Sequence, residues 1–501
     1  MIDMYYGILG GFVMKYGFDN EKYVKIQSEK IKERFKLFDK LYLEIGGKLF
    51  DDYHASRVLP GFKSDAKISM FQELKDDLEI IFCINANDIE KNKIRAEHGI
   101  TYDIEVMRLI DSLRDLGFLI NSVVITLYNH QPSVDTFIKK LKRYKIKTYI
   151  HKFTKGYPLD IDTIVSEEGY GANPYIETTK KLVLVNAPGP GSGKLATCLS
   201  QLYHENKRGI NAGYAKFETF PVWNLDLKHP VNIAYEAATA DLKDVNMIDS
   251  FHLSHYNEVA INYNRDLEQF PVLKAILYKI NGKSIYHSPT DMGVNMVGNC
   301  IIDNKIVNEA AKKEIVRRYF GEMNNYKMGL VDYEVPEKIK ILMNELEISE
   351  DLIKCRQTCL DKANKDNTPV VAIEVNNEII TGKETNILSA SSALIINTIK
   401  HLSKIPDNID LLSPSILEPI LKLKGNNKKA PLHLQEVLIA LSICSVTNPT
   451  VGDALKQLEK LKDCEAHSSH IITNGELKAL KELKIRLTCE AKFASDNLYS
   501  N

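Results

Sequence analysis

Strand-length apolar runs alternate with helical patterns through the first third of the chain. The clearest runs are Leu41–Ile45, Leu78–Ile84, Val123–Tyr128 and Lys147–His151. Apolar residues at helical spacing fill the intervals between them, as in Ile104–Leu116. Strands separated by helices of roughly 10–15 residues are typical of βαβ units. The sequence therefore predicts an α/β fold with a doubly wound, mostly parallel sheet.

Later changes in this pattern divide the chain into three expected domains. Residues 1–180 are predicted to form an N-terminal Rossmann-like α/β domain. Residues 181–335 are expected to form a P-loop-like, phosphate-binding α/β domain, and residues 336–501 a smaller C-terminal α+β domain.

Three local features refine this division. The runs Val370–Val375 and Glu378–Thr381 flank Asn376–Asn377, a pattern that predicts a β-hairpin. The apolar opening, residues 1–17, is expected to be an extra strand or a disordered leader. Loops are predicted at Pro221, Pro230, Pro271 and Pro289.

Composition excludes several classes of function. The chain has 65 basic and 66 acidic side chains, without the basic excess typical of nucleic-acid-binding proteins. No apolar run approaches the roughly 18 residues needed to span a membrane. The eight cysteines are scattered, which is typical of reduced thiols in a cytoplasm. We therefore expect a cytoplasmic protein without nucleic-acid or membrane partners, and homo-oligomerisation stays open.

A glycine-rich turn, Pro188–Lys194, separates a buried-strand run at Leu182–Val185 from a helical run at Ala196–Tyr203. Its glycines can adopt positive φ, so that successive backbone N–H groups point at one anion. The partial positive charge at the start of the helix and a lysine ammonium group add to this attraction. We therefore favour an anion site over a ligand-free turn. The candidate cofactor-binding residues are Gly189, Gly191, Ser192, Gly193 and Lys194.

The turn departs from the P-loop pattern at two positions. Pro188 replaces the first glycine, and Leu195 replaces the Ser or Thr that binds Mg²⁺. Thr197 cannot substitute, because two residues further along a helix it points roughly 200° away. ATP or GTP is the candidate cofactor, and a requirement for Mg²⁺ stays open. A phosphorylated metabolite held without a P-loop metal explains the departures equally well.

The segment after the first predicted strand carries candidate catalytic groups. It combines two carboxylates, an imidazole and a guanidinium group within seven positions. Open α/β sheets bind ligands beyond the carboxyl ends of their strands, where this segment is expected to lie. A polar surface turn with a local ion pair is the alternative. The candidates are Asp51, Asp52, His54 and Arg57.

Other polar residues lie near predicted strand ends or turns and are candidates for substrate binding. For Asp241 a helix cap, and for the turn at residues 288–295 an Asx-type turn, are alternatives. The spacing of Cys464, His467 and His470 resembles a zinc site only weakly, since no Cys-x-x-Cys pair accompanies it. The substrate candidates are Asn129, His130, Glu218, Asp241, Thr290, Asp291 and Asn295.

Several long segments resemble the recurrent blocks of a bacterial family, domain-of-unknown-function family 1846. They are spread over much of the chain, so the resemblance covers all but about the first dozen residues. It implies family membership and no assigned activity. The segments are Asp52–Phe62, Ala187–Glu205, Ala215–Leu225, Ala238–Leu242 and Ser288–Met296.

These features lead to an expectation about function. We expect an enzyme in which Lys194 and the amides of Gly189–Gly193 hold phosphate, while His54 with Asp51 or Asp52 performs acid–base chemistry. Phosphoryl or nucleotide-dependent group transfer on a small molecule is the leading class. A non-catalytic protein that senses a nucleotide or phosphometabolite is one alternative. A metal-free isomerase or lyase acting on a phosphorylated substrate is another.

Overall fold

The computed structural model describes residues 6–9, 12–95, 99–283, 285–424 and 431–495. The chain divides into two compact units. The first consists mainly of Lys15–Glu236 and Asp244–Ala310, and the second mainly of Ala237–Lys243 and Ala311–Asn501. Part of the apolar opening, residues 1–5 and 10–11, lies outside the described residues.

Strands β1 (Tyr6–Leu9) and β2 (Phe12–Lys15) pair with each other. The strands that follow, up to residue 310, are β3 (Lys40–Ile45), β4 (Leu78–Asn85), β5 (Ile94–Arg95), β6 (Ile100–Thr101), β7 (Leu119–Thr126), β8 (Lys147–Ile150), β9 (Leu182–Asn186), β10 (Ala212–Phe217), β11 (Asn246–Ile248), β12 (Ile261–Tyr263) and β13 (Gly293–Val294).

The helices over the same part of the chain are α1 (Asn20–Phe35), α2 (Tyr53–Val58), α3 (Ala66–Gln72), α4 (Ala86–Glu90), α5 (Tyr102–Asp115), α6 (Pro132–Arg143), α7 (Ile161–Ile164), α8 (Lys194–Lys207), α9 (Pro230–Ala238), α10 (Ser250–Tyr256), α11 (Asn264–Asn281), α12 (Pro289–Met292) and α13 (Asn304–Lys327).

A seven-stranded sheet forms the centre of the first unit, in the order β13-β10-β3-β9-β4-β7-β8. Every neighbouring pair is parallel. This confirms the predicted α/β class and its mostly parallel sheet. Residues 1–180 and 181–335, which we expected in separate domains, contribute strands to this one sheet. The reason is that β9 lies between β3 and β4 and pairs with both, a long-range contact that no local pattern encodes.

Helices cover both faces of this sheet, because buried strands alternate their side chains between two cores. One core joins Leu41, Leu43 and Leu184 to apolar residues of α3, α5 and α6. The other joins Val183 and Val185 to residues of α8 and α11. Strand β9 is buried on both sides, as its continuous apolar sequence predicts.

The second unit has its own mixed sheet, in the order β15-β14-β16-β17. Its strands are β14 (Val370–Val375), β15 (Glu378–Lys383), β16 (Glu465–Ser468) and β17 (Arg486–Cys489). Its helices are α14 (Glu334–Glu345), α15 (Cys355–Asp366), α16 (Ala390–Leu402), α17 (Pro414–Leu423), α18 (Leu434–Ser445), α19 (Pro449–Lys456) and α20 (Asn474–Glu482).

The predicted hairpin between β14 and β15 is confirmed. The strands pair antiparallel, and Val375 lies opposite Glu378. The connecting residues Asn376 and Asn377 have φ of 55° and 63°. Positive φ at both central residues defines the turn that matches the twist of a two-residue hairpin, and asparagine tolerates it well.

The prediction of a loop at Pro271 is wrong, because Pro271 lies inside α11. Proline in a helix interior costs about 3 kcal/mol. Burial of Phe270, Leu273 and Leu277 against the sheet offsets this cost. Pro230 is the first residue of α9, where a missing N–H group is tolerated.

Among the described residues, none of the helices combines the length and the apolar character that a membrane span requires.

Replacing Leu184 with Ala should destabilise the first unit by about 2–5 kcal/mol, because loss of this fully buried side chain leaves a cavity between the sheet and the helices that cover one of its faces. Leu119→Ala removes the same atoms from a side chain that is 43% exposed, and it should cost much less. Urea unfolding of both variants measures the difference. Equal losses would contradict the central position of β9.

Candidate functional site

The carboxyl ends of the parallel strands meet at one edge of the seven-stranded sheet. The connection from β9 leads through α8 to β10, while the connection from the adjacent β4 leads through α5 to β7, on the opposite side. Neighbouring strands whose connections diverge in this way open a crevice, which is where open α/β sheets bind ligands. The glycine-rich turn lies at this point, directly after Asn186.

The turn is shaped by glycines that no other residue could replace without strain. Gly191 and Gly193 have φ of 71° and 80°. A side chain at Gly189 would collide with the ring of Tyr102, and one at Gly193 with Thr126. The backbone of the turn is therefore packed closely against α5 and the end of β7, and it has little freedom to move.

Side-chain hydrogen bonds hold the carbonyl groups of this turn. Each donor lies either in the turn itself or on the strands and loops beside it, so the peptide planes have a defined orientation. The bonded carbonyls are those of Pro188 (from Arg95 Nη1), Gly189 (from Ser192 Oγ, 2.8 Å), Gly191 (from Asn85 Nδ2, 3.1 Å) and Ser192 (from Thr126 Oγ1, 2.9 Å).

The amides of the turn face the other way. In a planar trans peptide a carbonyl and the following N–H point in opposite directions. Within the described ranges, the N–H groups of Gly191, Gly193 and Lys194 have no protein acceptor. They lie at the start of the 14-residue helix α8, whose N-cap residue Gly193 supplies no side-chain cap. The turn therefore presents donors and a positive helix end at one place.

Lys194 is directed toward the sheet and away from bulk water. Its side chain is 15% exposed, and its Nζ lies 4.0 Å from Oε1 of Glu44 on β3. Glu44 also accepts a hydrogen bond of 2.8 Å from the hydroxyl of Tyr214. The lysine ammonium group thus lies among buried polar groups at the carboxyl edge.

Glu44 belongs to a buried cluster of charges, which we name the carboxyl-edge cluster. Lys216 of β10 lies directly opposite Glu44 in the strand register. Its Nζ is 2.5 Å from Glu218 and forms a second ion pair with Asp266. With Lys194, the cluster contains two ammonium groups and three carboxylates.

One extra proton would balance these formal charges, and Glu218 is the group that takes it. Burial raises the pKa of Glu218, the ammonium of Lys216 opposes this, and the carboxylates of Asp266 and Glu44 add to it, for a value of about 7. Burial disfavours the charged form of Lys216, but the three carboxylates outweigh burial and raise its pKa. A carboxyl group that titrates near neutral pH is suited to acid–base chemistry.

The two carboxylates of the acidic segment after β3 have different surroundings. Asp52 caps α2 by accepting from the Ala55 amide at 3.2 Å, and it forms a 2.8 Å ion pair with the buried Lys67. Burial opposes ionisation of Asp52, but Lys67 outweighs it, so the pKa of Asp52 is lowered. Asp51, by contrast, has φ of 52° and lines a pocket at the ends of β3 and β9.

His54 and Arg57 both lie on the short helix α2. The buried ring of His54 packs edge-on against the rings of Phe220 and Tyr235, with centroids 5.4 and 5.5 Å away. Arg57 lies in the last turn and is partly buried. The structure thus places His54 beside the segment that follows Glu218.

The remaining predicted substrate residues lie in different surroundings. Asn129 and His130 lie in an exposed turn after β7, and His130 has φ of 59°. Asp241 lies in a short 3₁₀ turn of the second unit, where it is exposed. A role for these residues in substrate binding stays a prediction.

The turn at residues 288–295 is held by its own hydrogen bonds. Asp291 forms a reciprocal capping box with Ser288, and the Thr290 hydroxyl donates to Asp249 at 2.7 Å. Asn295 donates to the carbonyls of Thr219 and Pro221 at 3.2 and 2.8 Å. Asn295 therefore supports the backbone that carries Glu218.

The weak zinc pattern does not form a metal centre in the described part of the chain, where no three His, Cys, Asp or Glu side chains are arranged to hold an ion. His467 instead contacts the Thr488 hydroxyl at 2.8 Å and Glu490 at 3.3 Å.

Sequence reasoning missed several residues of this site. Glu44 carried a signal, because it is an acidic residue inside an otherwise apolar strand run. Glu105 and Arg108, which line the same pocket as Asp51, showed only ordinary i,i+3 charge spacing on a helix. Asp266 and Arg95 carried no signal, because their roles depend on contacts with distant strands and loops.

The fold and site together define the class: an α/β protein with a glycine turn and a buried charge cluster at the carboxyl edge of a parallel sheet. The model of the domain of unknown function DUF1846, N-terminal, matches residues 16–347, and its C-terminal counterpart matches residues 351–499. The chain belongs to the DUF1846 family, which confirms the resemblance seen in its sequence.

Relatives in clostridia match nearly the whole of this chain. A UPF0371 protein of Clostridium botulinum (strain Alaska E43 / Type E3) is 55% identical over 501 residues, covering 97% of this chain and 100% of the relative. A UPF0371 protein of Clostridium tetani (strain Massachusetts / E88) shows the same identity and coverage.

Glu218→Gln should change how stability depends on pH. The pKa of this carboxyl is 4.5 in an ordinary setting and about 7 in the folded chain, so between these values only the unfolded state ionises. Wild-type stability should therefore fall as pH rises through this window. The neutral variant lacks this loss and should gain up to about 3 kcal/mol relative to wild type.

Urea unfolding at a series of pH values from 4 to 8 measures this difference. Glu258→Gln removes the same charge from an exposed position and serves as the control. Parallel profiles for wild type and Glu218→Gln would contradict the raised pKa of Glu218.

Proposed function

We propose that this protein is an enzyme that acts on a nucleotide or another phosphorylated small molecule. Its phosphate lies at the P-loop-like turn, and Glu218 exchanges a proton with the reacting part of the substrate. The observation that carries the proposal is the orientation of the turn, whose carbonyls are tied back by Arg95, Asn85 and Thr126. Its amides are thereby left to bind an anion.

Phosphate binding at such a turn combines three attractions. The amide of Gly193 donates a hydrogen bond, the N-terminus of α8 contributes a partial positive charge, and Lys194 contributes a full one. Because the turn is held before the ligand arrives, little conformational entropy is lost on binding. The phosphate competes with Glu44 for Lys194, which lies 4.0 Å from that carboxylate.

Acid–base chemistry follows from the carboxyl-edge cluster. Glu218 has a pKa of about 7, so both its acid and its base forms are populated at neutral pH. Lys216, at 2.5 Å, favours the ionised form after proton loss. A phosphate near Lys194 changes the charge balance of the same cluster. Substrate binding and the protonation of Glu218 are therefore coupled.

The surroundings of the turn support the metal-free variant of this proposal. Leu195, at the position of the P-loop hydroxyl, packs against the apolar core beneath α8. The hydroxyl of the fully buried Thr197 accepts a hydrogen bond from the Cys83 thiol at 3.4 Å. Neither residue offers an oxygen to a Mg²⁺ ion at the turn, so proton transfer in an isomerase or lyase is the variant that these contacts favour over phosphoryl transfer.

Lys194→Ala should weaken binding of inorganic phosphate roughly 10- to 100-fold, because one charge-assisted contact contributes about 1.5–3 kcal/mol. Isothermal titration calorimetry at low salt measures the affinity. Lys207→Ala, at the exposed C-terminal end of the same helix, is the matched control and should leave the affinity unchanged. Unchanged affinity in Lys194→Ala would reject the phosphate site.

Turnover of ATP and GTP separates the classes of function. A phosphoryl transferase should hydrolyse one of them slowly with Mg²⁺ and without an acceptor. A metal-free isomerase or lyase should bind its phosphorylated ligand equally well in EDTA and leave ATP and GTP intact. A non-catalytic sensor is indicated if Glu218→Gln binds the ligand as wild type does and no turnover accompanies binding in either protein.

A further inference from the structure

We infer that Tyr102 is a further phosphate-binding residue, whose hydroxyl donates a hydrogen bond to the phosphoryl group at the glycine turn. This assignment rests on the proposed function and deepens it. It adds a neutral donor from α5 to the amides of the turn and the ammonium group of Lys194.

The ring of Tyr102 lies directly against the glycine turn. Tyr102 is the first residue of α5, the helix that enters the sheet layer at the carboxyl edge. A Cβ atom placed on Gly189 would overlap the hydroxyl oxygen of Tyr102 and two carbons of its ring. Only glycine therefore allows the tyrosine to approach so closely, and its hydroxyl lies beside the backbone that is expected to hold phosphate.

Several contacts fix the position of this ring. The backbone amide of Tyr102 donates to the carbonyl of Lys93 at 2.9 Å. The Lys93 ammonium group lies 5.0 Å over the ring centroid, and Asp88 holds that ammonium group at 3.4 Å. The ring also belongs to the apolar core on its side of the sheet. The hydroxyl is thus positioned before a ligand arrives, and its use costs little conformational entropy.

The hydroxyl of Tyr102 has no partner within the protein. The residue is 7% exposed, yet in the part of the chain that the structure describes its hydroxyl forms no hydrogen bond. The oxygen is not enclosed by other atoms either. Buried tyrosines usually satisfy this group, as Tyr214 does by donating to Glu44 at 2.8 Å. The Tyr102 hydroxyl is therefore available to a group that enters the crevice at the turn.

The direction from which Tyr102 approaches suits a tetrahedral anion. Helices α5 and α8 cover opposite faces of the sheet, so Tyr102 reaches the turn from the side opposite Lys194. The oxygens of a phosphoryl group point in several directions and each accepts hydrogen bonds. Donors on two sides can therefore bind different oxygens of one phosphoryl group.

A purely structural role for Tyr102 makes a different prediction. If the tyrosine only packs against Gly189, its ring is sufficient, and loss of the hydroxyl changes neither stability nor phosphate binding. Tyr102→Phe keeps the ring and removes the oxygen alone, so this variant separates the two roles.

The test uses the full-length protein, with inorganic phosphate as the ligand and isothermal titration calorimetry at low salt. Tyr102→Phe should weaken phosphate binding roughly tenfold, because it removes one hydrogen bond to a charged group. Its midpoint of urea unfolding should equal that of wild type, since the hydroxyl has no protein partner to lose. Tyr144→Phe is the matched control at a 55% exposed position and should change neither quantity.

The salt dependence of binding provides a second measurement. Lys194 is a cation, so the loss of affinity in Lys194→Ala should shrink as added sodium chloride screens its charge. The tyrosine hydroxyl is neutral and acts at contact distance, so the loss in Tyr102→Phe should stay close to tenfold. A loss in Tyr102→Phe that fades with salt as that of Lys194→Ala does would show an indirect effect through Lys194, and would refute a direct contact.

The outcomes separate this inference from the proposed function. If wild type does not bind inorganic phosphate, or binds it independently of Lys194, the proposed function fails. If binding depends on Lys194 but Tyr102→Phe binds phosphate as wild type does, the role of the hydroxyl is refuted alone. A clear drop in the urea midpoint of Tyr102→Phe would also refute it, because the hydroxyl would then stabilise the fold itself.

Discussion

The position of β9 between β3 and β4 is the constraint on which the first unit depends. Leu182 pairs with Leu41 on one side and with Leu78 on the other, and both faces of the strand are buried. Because all three strands run parallel, their connections leave from the same edge. The glycine turn therefore emerges between the segment after β3 and the end of β4, within reach of Asn85. Without this pairing, the turn would keep its sequence and lose the groups that orient it.

Buried charges lie beside this turn at the carboxyl edge of the sheet. In the carboxyl-edge cluster, carboxylates outnumber ammonium groups, and burial makes Glu218 take up the extra proton near pH 7. Beside the turn, the buried Glu105 positions Arg95 and Arg108. Buried charges act strongly on one another at the sheet edge, because the local dielectric is low.

Local features of this protein were predictable because neighbouring residues encode them. The apolar run at Leu182–Val185, the glycine turn after it and the hairpin at Asn376–Asn377 follow from burial and from backbone preferences. Pro271 is the counterexample: its local preference predicts a loop, but burial of its helix against the sheet outweighs that preference. The expected domain boundary at residue 180 is a second counterexample, since the order of strands in a sheet depends on pairings between distant segments.

The sequence by itself determined the α/β class, the family, and the chemical types present at the turn: small flexible residues, bare amides and one lysine. Only the tertiary structure decided which groups surround that turn. Glu44, Lys216 and Asp266 come from separate segments and acquire their chemistry from one another. The physical reason is the range of the interactions along the chain. Backbone preferences and hydrophobic periodicity act between residues that are close in sequence. A pKa or an anion site depends on charges that the fold brings together from distant segments.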